Sequence, residues 1–163
     1  METMNLLAVF RRCRPSPPTP AARVSTDLSY LVEDGQRMSK LYSRVIDLME
    51  EKRPYLDGNF CAGQLAKRLF CNRTYLSKTI NICSGHNFRW LVNYYRVIYA
   101  SGLMQKDPFM KVEEVAKLSG FNTLPTFNSA FKFVMKERPS EYMGRFRRSQ
   151  APRYLSRSGG QAQ

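Results

Sequence analysis

The sequence has 163 residues, enough for one or two small domains with a modest core. Hydrophobic residues make up 43% and charged residues 24%, which excludes a wholly disordered chain, and no apolar run is long enough to cross a bilayer. The 26 Lys and Arg residues against 13 Asp and Glu residues leave a net charge of +13. An excess of this size favours a polyanionic partner, either nucleic acid or an anionic membrane surface.

Most of this positive charge belongs to the middle of the chain. Residues 60–150 carry fifteen basic and five acidic side chains, whereas residues 1–59 carry nine basic and eight acidic side chains. The middle is also where helical periodicity is strongest. The pattern therefore predicts a folded cationic surface rather than a disordered basic tail.

The cysteine and histidine content excludes several chemistries. No two of the four cysteines form a C-x-x-C pair, and His86 is the only histidine; the cysteines are Cys13, Cys61, Cys71 and Cys83. A structural zinc site needs closely spaced soft ligands, and a hydrolytic triad needs a histidine beside an activated nucleophile. We therefore expect no enzyme activity, no metal and no cofactor, and a reducing cytoplasm as the location.

The two ends of the chain are predicted to be irregular. The segment RRCRPSPPTPAAR contains four prolines in six residues, so residues 1–35 are expected to be a disordered leader or linker. An alternative is that the apolar run before the arginines is the stump of a membrane-proximal segment with a positive flank. Residues 149–163 are expected to be a flexible tail.

The periodic part of the chain begins at Met38. The apolar stripe of the first helix consists of Leu41, Val45, Leu48 and Met49. Pro54 ends this helix, and a short second helix follows over about 65–69. Asn72 suits the N-cap of a third helix, with Gly85 just beyond its end.

The second half of the chain continues the helical pattern. It predicts a long helix over 87–104, a short one over 112–118, a further one over 123–135 and a last short one that opens at 138. No alternating period-two run competes with these helices. The predicted fold is all-α, with about seven helices.

An internal repeat organises these helices into two units. The corresponding segments are Leu65-Ala66-Lys67 with Val115-Ala116-Lys117, and Leu76 and Ile80 with Phe127 and Phe131. Each copy is a short helix, a tight turn and an amphipathic helix, which is helix-turn-helix architecture. The units cover about 60–85 and 111–136. The units are joined by a linker helix over about 87–104. If it is helical from Phe88 to Met104, it spans about 25 Å. With packing at both ends, the two recognition helices could then reach successive major-groove segments about 34 Å apart.

The residues of both copies resemble a known family over about 40–147. The matching positions are Tyr75-Leu76-Ser77-Lys78, Phe88, Asn93-Tyr94-Tyr95-Arg96, Ala100, Gly120-Phe121-Asn122-Thr123, Phe127, Phe131-Lys132 and Arg138-Pro139-Ser140-Glu141-Tyr142. They resemble the DNA-binding domain of AraC/XylS-type transcription regulators, and most of all the versions from Bacteroidetes-type bacteria. The resemblance implies a DNA-binding domain over 36–148, made of two helix-turn-helix subdomains.

The resemblance also implies which side chains face the DNA. In the first recognition helix these are Arg73, Thr74, Ser77 and Lys78. In the second unit they are Asn122, Thr123, Leu124, Thr126, Asn128 and Ser129. Lys78 suits either a guanine edge or a phosphate, Asn128 suits adenine, and Leu124 suits a thymine methyl group. Lys132 and Arg96 suit either phosphate contact or packing.

Four positions depart from the family pattern. Ser129 stands where a basic residue is common, Lys136 replaces a glycine, Arg138 replaces a small residue before proline, and Cys61 replaces a hydroxyl or acidic helix cap. These departures suggest that the first unit reads more of the base sequence. The second unit would then contribute mainly shape and backbone contacts.

Two groups of residues have a structural interpretation that we favour over a functional one. Phe121, Phe127 and Phe131 share one helical face, so we expect them in a core rather than stacked on bases. The acidic pairs at 50–51 and 113–114 are expected to be solvated helix ends rather than catalytic carboxylates.

Together these features predict a sequence-specific, DNA-binding transcription regulator of promoter DNA. The resemblance implies activation through RNA polymerase, with a sensor that is missing or separate, and association with the nucleoid. The alternative is a helix-turn-helix protein-interaction module that binds all DNA weakly and equally. A membrane-surface binder ranks last, because the long helix carries only Arg89 and Arg96 as cations outside its end.

Overall fold

The computed structural model describes residues 28–155, with side chains for residues 33–149; the predictions for residues 1–27 and 156–163 lie outside this range. The seven α-helices of the described residues are α1 (Leu28–Lys52), α2 (Ala62–Arg68), α3 (Arg73–Ser84), α4 (Phe88–Lys106), α5 (Val112–Leu118), α6 (Leu124–Met135) and α7 (Pro139–Leu155). A 3-10 helix, Pro54–Leu56, follows α1. These residues contain no strand, so the all-α prediction is confirmed. None of these helices is long and apolar enough to span a membrane.

The chain divides into two compact units. Of the described residues, the first unit contains 28–54 together with Phe60–Leu91, and the second contains Tyr55–Asn59 together with 92–155. The first unit therefore contains α1, α2, α3 and the first turn of α4. The second contains the rest of α4, then α5, α6 and α7. Helix α4 is the continuous linker that the repeat predicted.

The apolar stripe of α1 packs against α3 in the first unit. The fully buried hydrophobic side chains of this core are Val45, Met49, Leu65, Leu76, Ile80 and Leu91. Asn72 caps α3 as expected, since its side-chain oxygen accepts a hydrogen bond from the Thr74 N–H at 2.7 Å. Gly85 ends α3 in the left-handed region, at φ 72°. These caps hold α3 between fixed ends.

Helix α1 begins at Leu28, well before the predicted start at Met38. Residues 28–35, which we expected to belong to the disordered leader, are therefore helical. The apolar stripe starts at Met38 and gave no sign of the more polar turns before it. Those turns have a tertiary contact instead, because the Asp34 carboxylate accepts a hydrogen bond from the Tyr75 hydroxyl of α3 at 3.3 Å.

Aromatic side chains form the core of the second unit. Phe121, Phe127, Phe131 and Tyr142 are buried and follow one another with ring centroids 5.2, 5.5 and 5.4 Å apart. The edge-on and tilted arrangements are those that aromatic quadrupoles favour. The prediction that the three phenylalanines belong to a core is confirmed.

Helix α7 extends further than the short helix that was predicted. It runs from Pro139 to Leu155, so residues 149–155 of the expected tail are helical. Its start is fixed by the Glu141 carboxylate, which accepts the Arg138 backbone N–H at 2.8 Å. Arg147 anchors a later turn, since its Nε donates to the Pro108 carbonyl at 2.6 Å. Such contacts have no signature in hydrophobic periodicity.

Candidate nucleic-acid interface

Helix α3 presents a polar face from the first unit. Arg73, Thr74 and Lys78 are exposed and Ser77 is half-buried, while Leu76 is fully buried. The four polar residues stand at i, i+1, i+4 and i+5, the spacing of one helical face. The structure therefore brings together the side chains that the resemblance assigned to the first recognition helix. Their contact with DNA stays a prediction.

The turn before α3 is held by backbone hydrogen bonds. The Cys71 N–H donates to the Ala66 carbonyl at 3.0 Å, and Ala66 is buried, as its place at the helix crossing predicts. Phe70, in this turn, adopts φ 53° and is 92% exposed. The weak cap expected at Cys61 is partly compensated, because the Gln64 side chain accepts the Cys61 N–H at 3.0 Å.

An acidic residue of α1 lies against the polar face of α3. The Asp34 carboxylate is 3.9 Å from the Lys78 ammonium and accepts the hydroxyl hydrogen bond of Tyr75. Partial burial and the nearby Asp34 charge raise the pKa of the Tyr75 phenol. Sequence reasoning missed Asp34, because it precedes the apolar stripe of α1. No sequence pattern pointed to it.

Helix α6 presents the corresponding face in the second unit. The exposed residues are Thr123, Thr126, Asn128, Ser129 and Lys132, and Leu124 is half-buried. The opposite face of the helix carries the buried Phe127 and Phe131. The Oγ1 atoms of Thr123 and Thr126 are 2.8 Å apart, so the two hydroxyls share a hydrogen bond at the start of α6.

Asn122 has a structural partner in this unit. Its Nδ2 donates to the Gly58 carbonyl at 3.2 Å. The amide lies so close to Gly58 that a Cβ there would be 2.0 Å from the Asn122 Oδ1. A Cβ at position 58 would therefore displace the Asn122 amide, which in its present position ties the Tyr55–Asn59 segment to the start of α6.

Arg96, which the resemblance placed among the candidate DNA contacts, has a packing role in the structure. Its side chain is only 8% exposed and donates from Nε to the Tyr55 carbonyl at 2.7 Å and from Nη2 to the Asp57 carbonyl at 2.8 Å. The guanidinium also lies over the Phe121 ring, 5.5 Å from its centroid. Of the two roles left open, the structure supports packing, and burial lowers the pKa of this guanidinium.

A signal for this role was present in the sequence. Arg96 stands between Tyr95 and Val97, within the wide apolar face of the linker helix, where an unpaired cation would be costly. The Tyr55–Asn59 segment that satisfies it carried no comparable signal. Its carbonyls also crowd Gly120, where a Cβ would lie 2.6 Å from the Tyr55 oxygen.

A groove of about 490 Å³ opens beside α6 in the second unit. Its lining residues come from α5, α6 and the start of α7: Val112, Glu113, Leu124, Asn128, Ser129, Lys132, Arg138, Pro139 and Ser140. Two exposed side chains outside the predicted set, Arg138 and Ser140, also line this groove. In the sequence, both residues belong to the Arg138–Tyr142 motif, and nothing there marks them as candidate contacts.

The end of α6 shows what one family departure does to the backbone. Lys136 adopts φ 62° and closes the helix with its N–H on the Lys132 carbonyl at 3.0 Å. This is the left-handed conformation that glycine adopts without strain. Lys136 thus takes over the C-cap role and adds a cation, which lies 4.8 Å from the Phe133 ring centroid.

Within the part of the chain that the structure describes, no cluster of His, Cys, Asp and Glu has the composition of a metal site. The chemistry of the two faces is instead that of hydrogen-bond donors, amides, hydroxyls and cations. These groups suit base edges and phosphates.

Comparison with known proteins gives matches in sequence. Residues 65–145 match a family described as a helix-turn-helix domain. The TCP pilus virulence regulatory proteins of two Vibrio cholerae O1 strains, Classical Ogawa 395 and El Tor Inaba N16961, are 34% identical over 85 residues. This match covers 52% of the present chain but only 30% of those proteins, so the chain spans less than a third of the curated relatives it matches.

Solved structures share the fold at lower identity. The C-terminal domain of AraT, a response regulator from Geobacillus stearothermophilus, is 24% identical with a TM-score of 0.59, over 67% of this chain and 88% of that one. The C-terminal domain of the two-component response regulator yesN from Fusobacterium nucleatum is 24% identical with a TM-score of 0.56, over 64% and 98%. ToxT from Vibrio cholerae is 24% identical with a TM-score of 0.54, over 76% and 51%.

Proposed function

We propose that the chain recognises a specific promoter sequence. The premise is that it belongs to the AraC-type helix-turn-helix family of DNA-binding transcription regulators. One observation carries the proposal: α3 and α6 each expose a polar face and bury the opposite apolar face in a helix-turn-helix unit. Residues 36–148 form the proposed DNA-binding domain. The two faces would read two adjacent major-groove segments.

In the first unit, the proposed contacts are made by Arg73, Thr74, Ser77 and Lys78. The two long cations can donate to the O6 and N7 atoms of guanine, while the hydroxyls can bond to either kind of base or to a phosphate. For Lys78 we favour base reading over phosphate contact, because the Asp34 carboxylate beside it would repel a phosphate bound at the same place.

In the second unit, the proposed base contacts come from the exposed side of α6. Asn128 can bond bidentately to adenine, Leu124 can contact a thymine methyl group, and the small hydroxyls Thr123, Thr126 and Ser129 can adapt to their surroundings. Lys132 and Arg138 supply phosphate contacts at the groove beside α6. Asn122 contributes by anchoring the start of α6 to Gly58. Arg96 is not in the proposed set.

The proposed mode of action is occupancy of a promoter followed by recruitment of RNA polymerase, in the cytoplasm and in association with the nucleoid. The relatives named as TCP pilus virulence regulatory proteins are regulators, which supports a regulatory role here. The inducing signal would be received by a sensor outside the proposed DNA-binding domain. Neither binding nor recruitment calls for a cofactor.

The test is selection of bound duplexes from a random pool, followed by salt titration on the recovered sequence and on a scrambled one. We expect a motif of two blocks centred about ten base pairs apart, since the two helices enter successive turns of the major groove. Steep salt dependence without any enriched sequence would mean that only phosphates are bound, and would contradict the proposal. That result would favour the protein-interaction module.

A further inference from the structure

Asp34 is an acidic residue that lies beside Lys78, one of the proposed base-reading side chains. Its Oδ2 lies 3.9 Å from the Lys78 Nζ, and its Oδ1 accepts the Tyr75 hydroxyl at 3.3 Å. Tyr75 and Lys78 are both on α3, one turn apart or less, whereas Asp34 is on α1. The carboxylate thus bridges two helices and lies at the edge of the exposed face.

The Asp34–Lys78 pair is exposed enough to leave the ammonium group of Lys78 accessible to a ligand. The Lys78 side chain is 60% exposed and that of Asp34 is 31% exposed, so water screens the attraction and the pair adds little to stability. The separation of 3.9 Å also exceeds hydrogen-bond distance. All three N–H donors of the ammonium therefore remain available to a ligand while the carboxylate still attracts the charge.

Asp34 itself is better fixed than Lys78. Its short side chain has two rotatable bonds and accepts a hydrogen bond from the partly buried Tyr75 hydroxyl. A lysine side chain has four rotatable bonds and large rotamer freedom. A fixed carboxylate beside a mobile ammonium restricts where that ammonium spends its time.

We propose that Asp34 is a positioning residue for Lys78, which favours donation to a base edge over capture by the nearest phosphate. The inference rests on the proposed function and deepens it. On non-specific DNA, Lys78 would have to leave Asp34 for a phosphate, and the carboxylate would repel that phosphate. At the correct site, the ammonium would donate to a neutral base edge without leaving the carboxylate.

The experiment measures Kd for the selected duplex and for its scrambled version, with Asp34→Asn compared against Asp47→Asn in the full chain. Asparagine keeps an acceptor for the Tyr75 hydroxyl, and thermal unfolding checks that the variants remain folded. Asp47 is exposed on the same helix, so its variant removes the same charge from α1 and serves as the matched control. The same pair of variants is then made with Lys78→Ala.

The expected result is that Asp34→Asn tightens binding to scrambled DNA by about two- to five-fold relative to Asp47→Asn, and changes binding to the selected duplex less. With Lys78→Ala, the difference between the two asparagine variants should vanish. Equal effects of both asparagine variants, equal tightening on both duplexes, or an effect that persists without Lys78 would each overturn the inference. Failure of the proposed function is a separate outcome, seen when the wild-type chain enriches no sequence at all.

Discussion

At the scale of single residues, Arg96 shows how a candidate DNA contact can be a packing residue. A guanidinium has five donors in a rigid plane, and here it satisfies the carbonyls of Tyr55 and Asp57 while covering the Phe121 ring. These contacts hold the Tyr55–Asn59 segment to α4. A surface cation that binds phosphates would instead be free of such partners.

We expect Arg96→Ala to lower the free energy of unfolding by about 2–4 kcal/mol, because two charge-assisted hydrogen bonds are lost and the buried Tyr55 carbonyl is left without this donor. Arg96→Lys should restore little, since an ammonium cannot reproduce the fork. Urea denaturation measures both. Arg89→Ala, at an exposed position of the same helix, is the control and should cost less than about 0.5 kcal/mol. Equal stability of the Arg96 and Arg89 variants would contradict the packing role.

At the scale of elements, a glycine turn adjoins each recognition helix and helps to fix its position within its unit. Gly85 after α3 and Gly120 before α6 both have positive φ, 72° and 81°. Their surroundings differ, since a Cβ at Gly85 would meet nothing within 4 Å, whereas at Gly120 it would lie 2.6 and 2.7 Å from the carbonyl oxygens of Tyr55 and Leu56. The second turn is therefore constrained by packing as well as by conformation.

The two glycines make a matched pair for one substitution. Gly85→Ala should cost about 1 kcal/mol, the price of a left-handed alanine. Gly120→Ala should cost about 2–4 kcal/mol, because backbone atoms must also move. Denaturation of each single variant gives the comparison. Equal costs at the two positions would mean that the Tyr55–Leu56 backbone moves easily, which would contradict tight packing of this backbone against Gly120.

The same elements show what could be predicted from the sequence. The Asn72 cap, the Gly85 end and the apolar faces of α3 and α6 are local patterns, and they were predicted correctly. The early start of α1 and the placement of Arg96 depend on contacts between residues about forty positions apart, Asp34 with Tyr75 and Tyr55 with Arg96. Periodicity within one helix contains no information about such contacts.

At the scale of the whole molecule, the charge agrees with a DNA-binding role but does not by itself specify one. Residues 60–150, which include both helix-turn-helix motifs, carry fifteen basic and five acidic side chains. Counterion release from DNA favours the binding of such a surface whatever the base sequence of the DNA. Specific recognition requires in addition that the polar faces of both units read bases, and this is the central claim.

That claim is tested most directly by measuring how each recognition helix couples to one block of the selected motif. Lys78→Ala and Asn128→Ala are combined with duplexes in which one block or the other is scrambled, and Kd is measured for every combination at fixed salt. We expect each variant to lose about five- to a hundred-fold on the intact duplex, and to lose nothing further when its own block is already scrambled. Losses that are the same on every duplex would contradict base reading by α3 and α6, and would leave phosphate binding alone.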